Sequence, residues 1–257
     1  MQTWNEGTPP IITLPDMAGR TAIVTGASRG IGRAVVQALQ ANGVFCYGFA
    51  DIFDSVESGP LWQPIVCDLR EPEAIRGAVD SVGRESLDYL VNVAGIDPKV
   101  PLSEGDETTW HRIIDLNLRA YYLMIRACEP LLVRGAGKSI VNISSINYRL
   151  GISGRSIYTT SKAGILGLTV GLARELGKQD IRINTVTPGW IFTERQIEEY
   201  FATEDADVHL NTLAEKQSLR LKIHPLDVAN HVLFYLSSVS RASTGHNMVV
   251  DGGWLLE

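Results

Sequence analysis

Tyr158 and Lys162 stand four residues apart in the run S-I-Y-T-T-S-K, so on a helix their side chains share one face. A phenol ionises near pH 10 and is a poor base at neutrality, whereas an ammonium beside it favours the phenolate. The pair reads as a proton-transfer couple, although Y-x-x-x-K alone also describes an ordinary solvated helix face. Ser144 ends the run S-I-V-N-I-S, at the carboxyl end of an expected strand, where ligands bind in open α/β sheets. Its hydroxyl is expected to hold a substrate oxygen beside Tyr158. Asn117 is a polar residue between apolar neighbours in I-I-D-L-N-L, either an assistant to that chemistry or a helix residue bonded to backbone or water.

A second signal is Thr25-Gly26-Ala27-Ser28-Arg29-Gly30-Ile31-Gly32, placed where a short apolar run turns into helical spacing. Gly26 permits a tight turn, Gly30 lets backbone approach a pyrophosphate, and Gly32 lets helix and strand pack closely. The free N–H groups of the helix start then face the phosphates. A plain tight turn is the alternative, and the position at a first strand-to-helix junction argues against it. The next strand ends in Phe49-Ala50-Asp51, and a carboxylate there accepts from a free ribose 2′-hydroxyl while repelling a 2′-phosphate. Asp51 therefore favours NAD. Arg29, in the phosphate turn, is the residue that would favour NADP instead.

The elements that must position these residues follow from the pattern. Strands are expected at Thr21–Thr25, Val44–Ala50, Pro64–Cys67, Leu87–Val93, Ser139–Ile143, Ile181–Val186 and Met248–Val250. Helical spacing runs over Ile31–Ala41, along the glycine-free stretch Asp106–Arg134 and over Ser156–Leu176, and Pro225 opens a further helix. Strand and helix alternate, which predicts an α/β fold with a doubly wound, Rossmann-type parallel sheet covered on both faces. Residues 1–19 are expected as an extended tail and 20–257 as one domain. The polar, interrupted stretch 190–222 breaks the rhythm and is expected as a substrate lid.

Composition narrows the function classes. An apolar fraction of 45% and a charged fraction of 20% are those of a globular chain. A net charge of −6 with no basic run argues against a nucleic-acid partner. The three cysteines, Cys46, Cys67 and Cys128, lack metal-ligand or disulfide spacing, so no metal site is expected. No window approaches a spanning apolar stretch, and the first residues do not read as a secretory signal, so a cytoplasmic protein is expected.

Taken together, T-G-A-S-R-G-I-G, Cys67-Asp68-Leu69, Asn92-Val93-Ala94-Gly95, Asn117, Ser144, Tyr158-x-x-x-Lys162 and Pro188-Gly189-x-x-x-Thr193 resemble the short-chain dehydrogenase/reductase family, from Arg20 to Trp254. The resemblance implies seven strands in the order 3-2-1-4-5-6-7, a homotetramer and a nicotinamide cofactor, NAD or NADP. It implies that Asp68 and Leu69 contact the adenine and that Asn92, Ala94 and Gly95 line the adenosine side. Pro188, Gly189, Ile191 and Thr193 would hold the nicotinamide end, with Lys162 on its ribose and Asn117 seating a water. Val93 departs from the family's frequent second asparagine, and segment 52–63 is too short for the usual helix.

Stretches in the last third, Leu172–Gly177, Pro188–Gln196, Leu221–Pro225, Ser243–His246 and Asp251–Trp254, resemble the aldose 1-dehydrogenases of that family. That likeness implies oxidation of a sugar to its lactone. Ser144, Asn147, Tyr158, Trp190 and Arg195 are the candidate substrate contacts, with Glu194 and Gln196 as further hydrogen-bonding groups and Trp254 as a further stacking surface. A dehydrogenase or reductase of another carbonyl, such as a 3-oxoacyl thioester or keto sugar acid, is the alternative, and a cofactor-sensing binding protein a more distant one.

Overall fold

The protein is described by a computed structural model over residues 4–55 and 57–256. In chain order its elements are β1 (Thr21–Thr25), α1 (Gly30–Ala41), β2 (Phe45–Ala50), β3 (Trp62–Val66), α2 (Pro72–Ser81), β4 (Tyr89–Asn92), α3 (Glu107–Ile114) and α4 (Ala120–Arg134). They continue with β5 (Ser139–Ile143), α5 (Asn147–Leu150), α6 (Ser156–Leu176), β6 (Arg182–Pro188), α7 (Glu194–Gln196), α8 (Ala206–Lys216), α9 (Pro225–Leu236) and β7 (Asn247–Val250). The seven strands form one parallel sheet in the order β3-β2-β1-β4-β5-β6-β7. The order reverses between β1 and β4, and that switch point opens a crevice at the carboxyl ends of the strands.

Side chains alternate across the sheet and feed two cores. On β1, Ala22 and Val24 pack with Val35 and Leu39 of α1 and Val232 and Leu233 of α9, while Ile23 packs with Ile75 of α2 and Met124 and Leu132 of α4. Both faces are covered, which explains why the strands read as continuous apolar runs. Burying each large aliphatic side chain contributes about 1.5–3 kcal/mol. Caps fix where helices begin. The Asp106 carboxylate accepts from the Thr109 N–H at 2.7 Å to start α3. At α9, His224 accepts from the Leu226 N–H (3.1 Å) and Asp227 accepts from the His224 N–H (2.7 Å), with Pro225 in the first turn as expected. Each such cap is worth about 1 kcal/mol.

Three features differ from the sequence expectation. The glycine-free stretch is not one uniform helix: a wide π-type turn at Asp115–Arg119 separates α3 from α4 and carries Asn117 inward, fully buried. The N-terminal segment, expected as an extended tail, is fastened to the domain. Asn42 accepts from the Leu14 N–H (2.7 Å) and donates to the Ile12 carbonyl (2.9 Å), and Asn230 clamps Pro10 and Ile12 from α9. Farther out, Asn5 pairs with the backbone around Leu221. Lastly, segment 190–222 is largely helical. A second wide turn, Ile197–Phe201, joins α7, and an aromatic cluster of Trp190, Tyr200, Phe201 and His209 packs that turn against α8.

The short connection between β2 and β3 contains no helix among its described residues. Trp62 fills the space instead: a Cβ on Gly48 would fall 2.0 Å from its ring, and Arg33 stacks its guanidinium on the indole at 5.5 Å. Among the described residues no helix is long and apolar enough to cross a membrane, and no cluster of His, Cys, Asp or Glu has metal-ligand geometry. The three cysteines are buried and unpaired, and burial pushes the Cys67 thiol up to about 11 and the Cys128 thiol to about 12.

Candidate active site

The crevice floor is built where β1 runs into α1. Gly26 takes φ +64°, and a Cβ there would lie 2.9 Å from the Ala94 backbone. Thr25 stitches the same two strand ends, its hydroxyl accepting from the N–H groups of Val93 (2.9 Å) and Ala94 (3.2 Å). Gly32 packs so closely that a Cβ would meet the Gly26 carbonyl at 2.0 Å. Gly30 takes φ +56° with Thr193 standing opposite, 3.3 Å from the position of a Cβ. Ser28, Arg29 and Ile31 complete a turn whose backbone bonding into α1 begins at Arg33 N–H to Arg29 C=O, 3.2 Å. Free N–H groups of the turn precede that bond and suit an anionic pyrophosphate. The residues present therefore fit a dinucleotide: a side-chain-free cradle at a helix N-terminus, at the switch point of the sheet.

Around that cradle lie the other cofactor candidates. Asp51 follows β2 directly and is exposed. The β1–β2 register runs without interruption from Thr21↔Phe45 to Thr25↔Phe49, so no bulge separates Asp51 from the strand. The Asp68 carboxylate is engaged by Arg70 through two bonds of 2.9 and 2.6 Å, which hold its carboxyl below the usual range. Leu69 beside it is buried. Asn92 is buried, donating to the Asn142 amide oxygen at 2.9 Å while its own amide oxygen has no partner. At the other end, the Pro188 carbonyl accepts from the Ile146 N–H (3.0 Å), and Gly189 lets the backbone of Asp251 approach where a Cβ would stand 2.7 Å away. Ile191 is buried, and Thr193 caps α7 by accepting from the Gln196 N–H at 3.3 Å.

The catalytic candidates converge at the amino half of α6. Tyr158 and Lys162 lie one turn apart, with the Lys162 ammonium 5.8 Å from the centre of the Tyr158 ring and 5.5 Å from that of Tyr121. Lys162 is 4% exposed and donates to the Ile143 carbonyl at 3.0 Å. Gly95 brings the opposite wall in: a Cβ there would be 3.2 Å from Asn117 Oδ1 and 3.4 Å from Lys162 Nζ. Asn117 clamps the loop beyond Gly95, its Oδ1 accepting from the Ile96 N–H (2.9 Å) and its Nδ2 donating to the Ile96 carbonyl (2.8 Å). It also reaches the Ser161 hydroxyl at 3.2 Å. Wide π-type turns often sit at functional sites, and here the turn aims this amide at the loop.

Ser144 is placed otherwise than its sequence position suggested. Its hydroxyl donates to the Lys162 backbone carbonyl at 2.8 Å. The neighbouring Ser145 hydroxyl is instead the one whose presence pulls the Tyr158 phenol down. The reason is local: residues at a strand end point alternately to opposite sides, so a step of one changes what the hydroxyl meets. Ser145 was legible as the second serine of the same S-S pair, but nothing in the sequence said which of the two turns toward the tyrosine.

Electrostatics set the resting state of the couple. Burial pushes the Tyr158 phenol up to about 12; the Ser145 hydrogen bond and the charges of Arg155 and Arg195 oppose this, and Asp97 adds to it. Burial also pulls the Lys162 ammonium down to about 8, against the pull of Asp97. Burial is thus the largest influence on the phenol. Tyr158 is neutral in the free protein near pH 7.

Of the candidate substrate contacts, Asn147 lies half-buried beside Ser145, its N–H donating to the Ser145 hydroxyl at 3.3 Å. Trp190 is committed to packing. Its Nε1 donates to Gln196 at 2.7 Å, and its ring joins Tyr200, Phe201, His209 and Trp254. Arg195 pairs with Glu199 at 2.9 Å and with Asp97 at 2.6 Å. Asp97 and Arg155, unnoticed in the sequence, complete this charged group at 3.0 Å.

Comparison with known proteins agrees with this geometry. A family model described as enoyl-(acyl carrier protein) reductase matches residues 26–255. The chain is 36% identical over 258 residues to the probable galactose dehydrogenase of Rhizobium meliloti, covering 96% of this chain and 99% of that one. It is 34% identical over 249 residues to the D-xylose 1-dehydrogenase of Caulobacter vibrioides, covering 93% and 97%. The ligand-free structure of Thermoplasma acidophilum aldohexose dehydrogenase superimposes with a TM-score of 0.86 at 30% identity, over 94% of this chain and 96% of that one. The glycine cradle at the switch point, the Tyr158–Lys162 couple and this end-to-end likeness lead to one conclusion: the chain belongs to the short-chain dehydrogenase/reductase family of nicotinamide-dependent oxidoreductases.

Proposed function

We propose that this enzyme oxidises an aldose at C1 to the lactone, with NAD as cofactor and Tyr158 as general base. The observation that carries the substrate class is the likeness, over nearly the whole of both chains, to a galactose dehydrogenase and a xylose 1-dehydrogenase. The chemistry rests on the couple of half-buried Tyr158 and buried Lys162 with the Ser145 hydroxyl beside it. A nicotinamide held by Pro188, Gly189, Ile191 and Thr193 would supply the hydride acceptor and a positive ring that favours a nearby phenolate. Tyr158 takes the proton of the anomeric hydroxyl as that hydride leaves, so the C1–O bond gains its carbonyl character without a stranded charge. Ser145 donates to the same oxygen and orients it. Lys162 supplies positive charge behind the tyrosine and, through its bond to Ile143, keeps a fixed position.

For the adenosine end, Asp51 is an unobstructed carboxylate directly after β2, in keeping with a ribose whose 2′-oxygen is a free hydroxyl. Asp68, Leu69, Asn92, Ala94 and Gly95 would line that half, and Pro188, Gly189, Ile191 and Thr193 the nicotinamide half. The test is a screen following cofactor fluorescence over pentoses, hexoses, deoxyhexoses, 3-oxoacyl thioesters and keto sugar acids. Turnover of an aldose with NAD, and a lactone as product, is the expected result. Turnover confined to a thioester or a keto acid would overturn the sugar assignment.

A further inference from the structure

The loop after β4 carries a carboxylate that the reaction scheme above leaves without a task. Asp97 lies two residues beyond Gly95, and the residue between them, Ile96, is fastened on both backbone groups by Asn117. The loop therefore has a fixed position relative to the wide turn before α4. From that position the two oxygens of Asp97 reach two different elements. Oδ2 meets Arg155 Nη1 at 3.0 Å, on the residue that precedes α6 and stands three positions before Tyr158. Oδ1 meets Arg195 Nη2 at 2.6 Å, at the head of segment 190–222. Arg155 is nine-tenths buried and spends its other terminal nitrogen on the Tyr200 hydroxyl, at 3.2 Å, in the same segment. Arg195 spends its own on Glu199 at 2.9 Å.

We propose that Asp97 is a positioning residue, the pin that holds the head of segment 190–222 and the start of α6 together over Tyr158. It touches neither the proton in flight nor the hydride. Its charge is what allows two arginines from separate elements to lie side by side. Without it, Arg155 and Arg195 face each other as like charges, one of them buried, and the segment is driven off the site. The charged and titratable groups facing Asp97 are Arg155, Tyr158 and Lys162 from α6 and its lead-in, and Arg195, Glu199 and Tyr200 from the segment above. Asp97 pushes the pKa of both Tyr158 and Lys162 up, which favours the neutral phenol and the ammonium, and the two arginines push that of Tyr158 down.

This inference rests on Tyr158 as the base for its pH readout and stands apart from it for its mobility readout. The experiment uses the full chain with Asp97→Asn, Asp97→Glu, Arg195→Met and the double variant, on whichever alcohol the screen identifies. Asp97→Asn should lower kcat/KM by about 10²-fold, the scale of a small misplacement remote from the chemistry. The acid limb of its pH profile should move to lower pH, because the arginines still favour the phenolate and the opposing carboxylate is gone. A purely structural role would depress the rate at every pH without moving that limb. Asp97→Glu should restore the limb. Arg195→Met placed on Asp97→Asn should add less than about twofold, since both act through one contact. Amide exchange across 190–222 should quicken in Asp97→Asn while affinity for ADP-ribose, which reports the folded dinucleotide half, stays unchanged. An unmoved limb with unchanged exchange, or effects of the two substitutions that multiply, would overturn the proposal. Faster exchange with an unmoved limb would support the pin and count against Tyr158 as the base.

Discussion

The Ser144 hydroxyl donates to the Lys162 backbone carbonyl at 2.8 Å, tying the end of β5 to the second turn of α6. Lys162 returns a bond from its ammonium to Ile143, one residue before Ser144, at 3.0 Å. Lys162 is thus held from both its ends by the same strand terminus, and the next residue, Ser145, acts on Tyr158.

From this arrangement Ser144→Ala and Ser145→Ala should separate. Ser144→Ala removes a buried hydrogen bond and should cost about 0.5–1.5 kcal/mol of stability, because the Lys162 carbonyl keeps its place in the α6 ladder. Its effect on kcat should be the smaller of the two. Ser145→Ala should leave the melting temperature nearly unchanged and lower kcat by about 10²-fold or more, as for a lost donor to the reacting oxygen. Thermal melts and steady-state kinetics on both variants check this, and the reverse order would return the role to Ser144.

Tyr158→Phe should lower kcat by about 10²–10⁴-fold, the usual contribution of general acid–base catalysis, with little change in cofactor affinity. A variant that kept more than about a tenth of the activity would assign the proton transfer to another group.

Lys162 gives a stability test with a definite sign. Its folded ionisation lies near 8, below the ordinary lysine value of 10.5, so burial of the ammonium opposes folding at low pH. That penalty is full below pH 8 and disappears as the pH rises to about 10.5. Lys162→Met should therefore raise the melting temperature at pH 7, by the equivalent of on the order of 3 kcal/mol before the lost bond to Ile143 is deducted. The gain should shrink across pH 8–10.5. The tyrosine acts oppositely: raised to about 12, it adds stability below pH 10 that is lost between 10 and 12. Melts from pH 7 to 11 resolve the two.

Cofactor choice is tested at Asp51. NAD should give the higher kcat/KM, and Asp51→Ala should narrow the gap by relieving repulsion of a 2′-phosphate. Parallel kinetics with NAD and NADP decide it. A native preference for NADP would assign selection to Arg29, exposed in the phosphate turn, or to Arg70, whose charge is felt alongside that of Asp51.

Segment 190–222 should exchange its amides faster than the sheet in the free protein and slow on addition of cofactor and sugar together. Its ties to the rest of the chain gather at its two ends: Arg195 on Asp97 and Tyr200 on Arg155 at the head, and Ser218, Leu219 and Leu221 on Gly253, Gly252 and the backbone beside Asn5 at the tail. Protection that is already high without ligands would make the segment a fixed wall.

The sequence by itself determined what depends on short spacing. Tyr158 and Lys162 lie one helical turn apart wherever that helix is put, and the glycines at 26, 30 and 32 demand the same turn in any fold that starts a helix there. Alternation of apolar runs with helical stretches likewise fixes a parallel sheet, because parallel strands need crossovers and crossovers cover both faces. What the tertiary structure decided is which groups meet across long separations. Arg195 finds Asp97 at 98 positions away, and Asn117 finds Ile96 at 21, through a widened turn that local pattern does not announce. The choice between Ser144 and Ser145 belongs with these. It depends on which side of the sheet α6 packs against the end of β5, and two adjacent serines carry the same chemistry until that packing gives each hydroxyl a different partner.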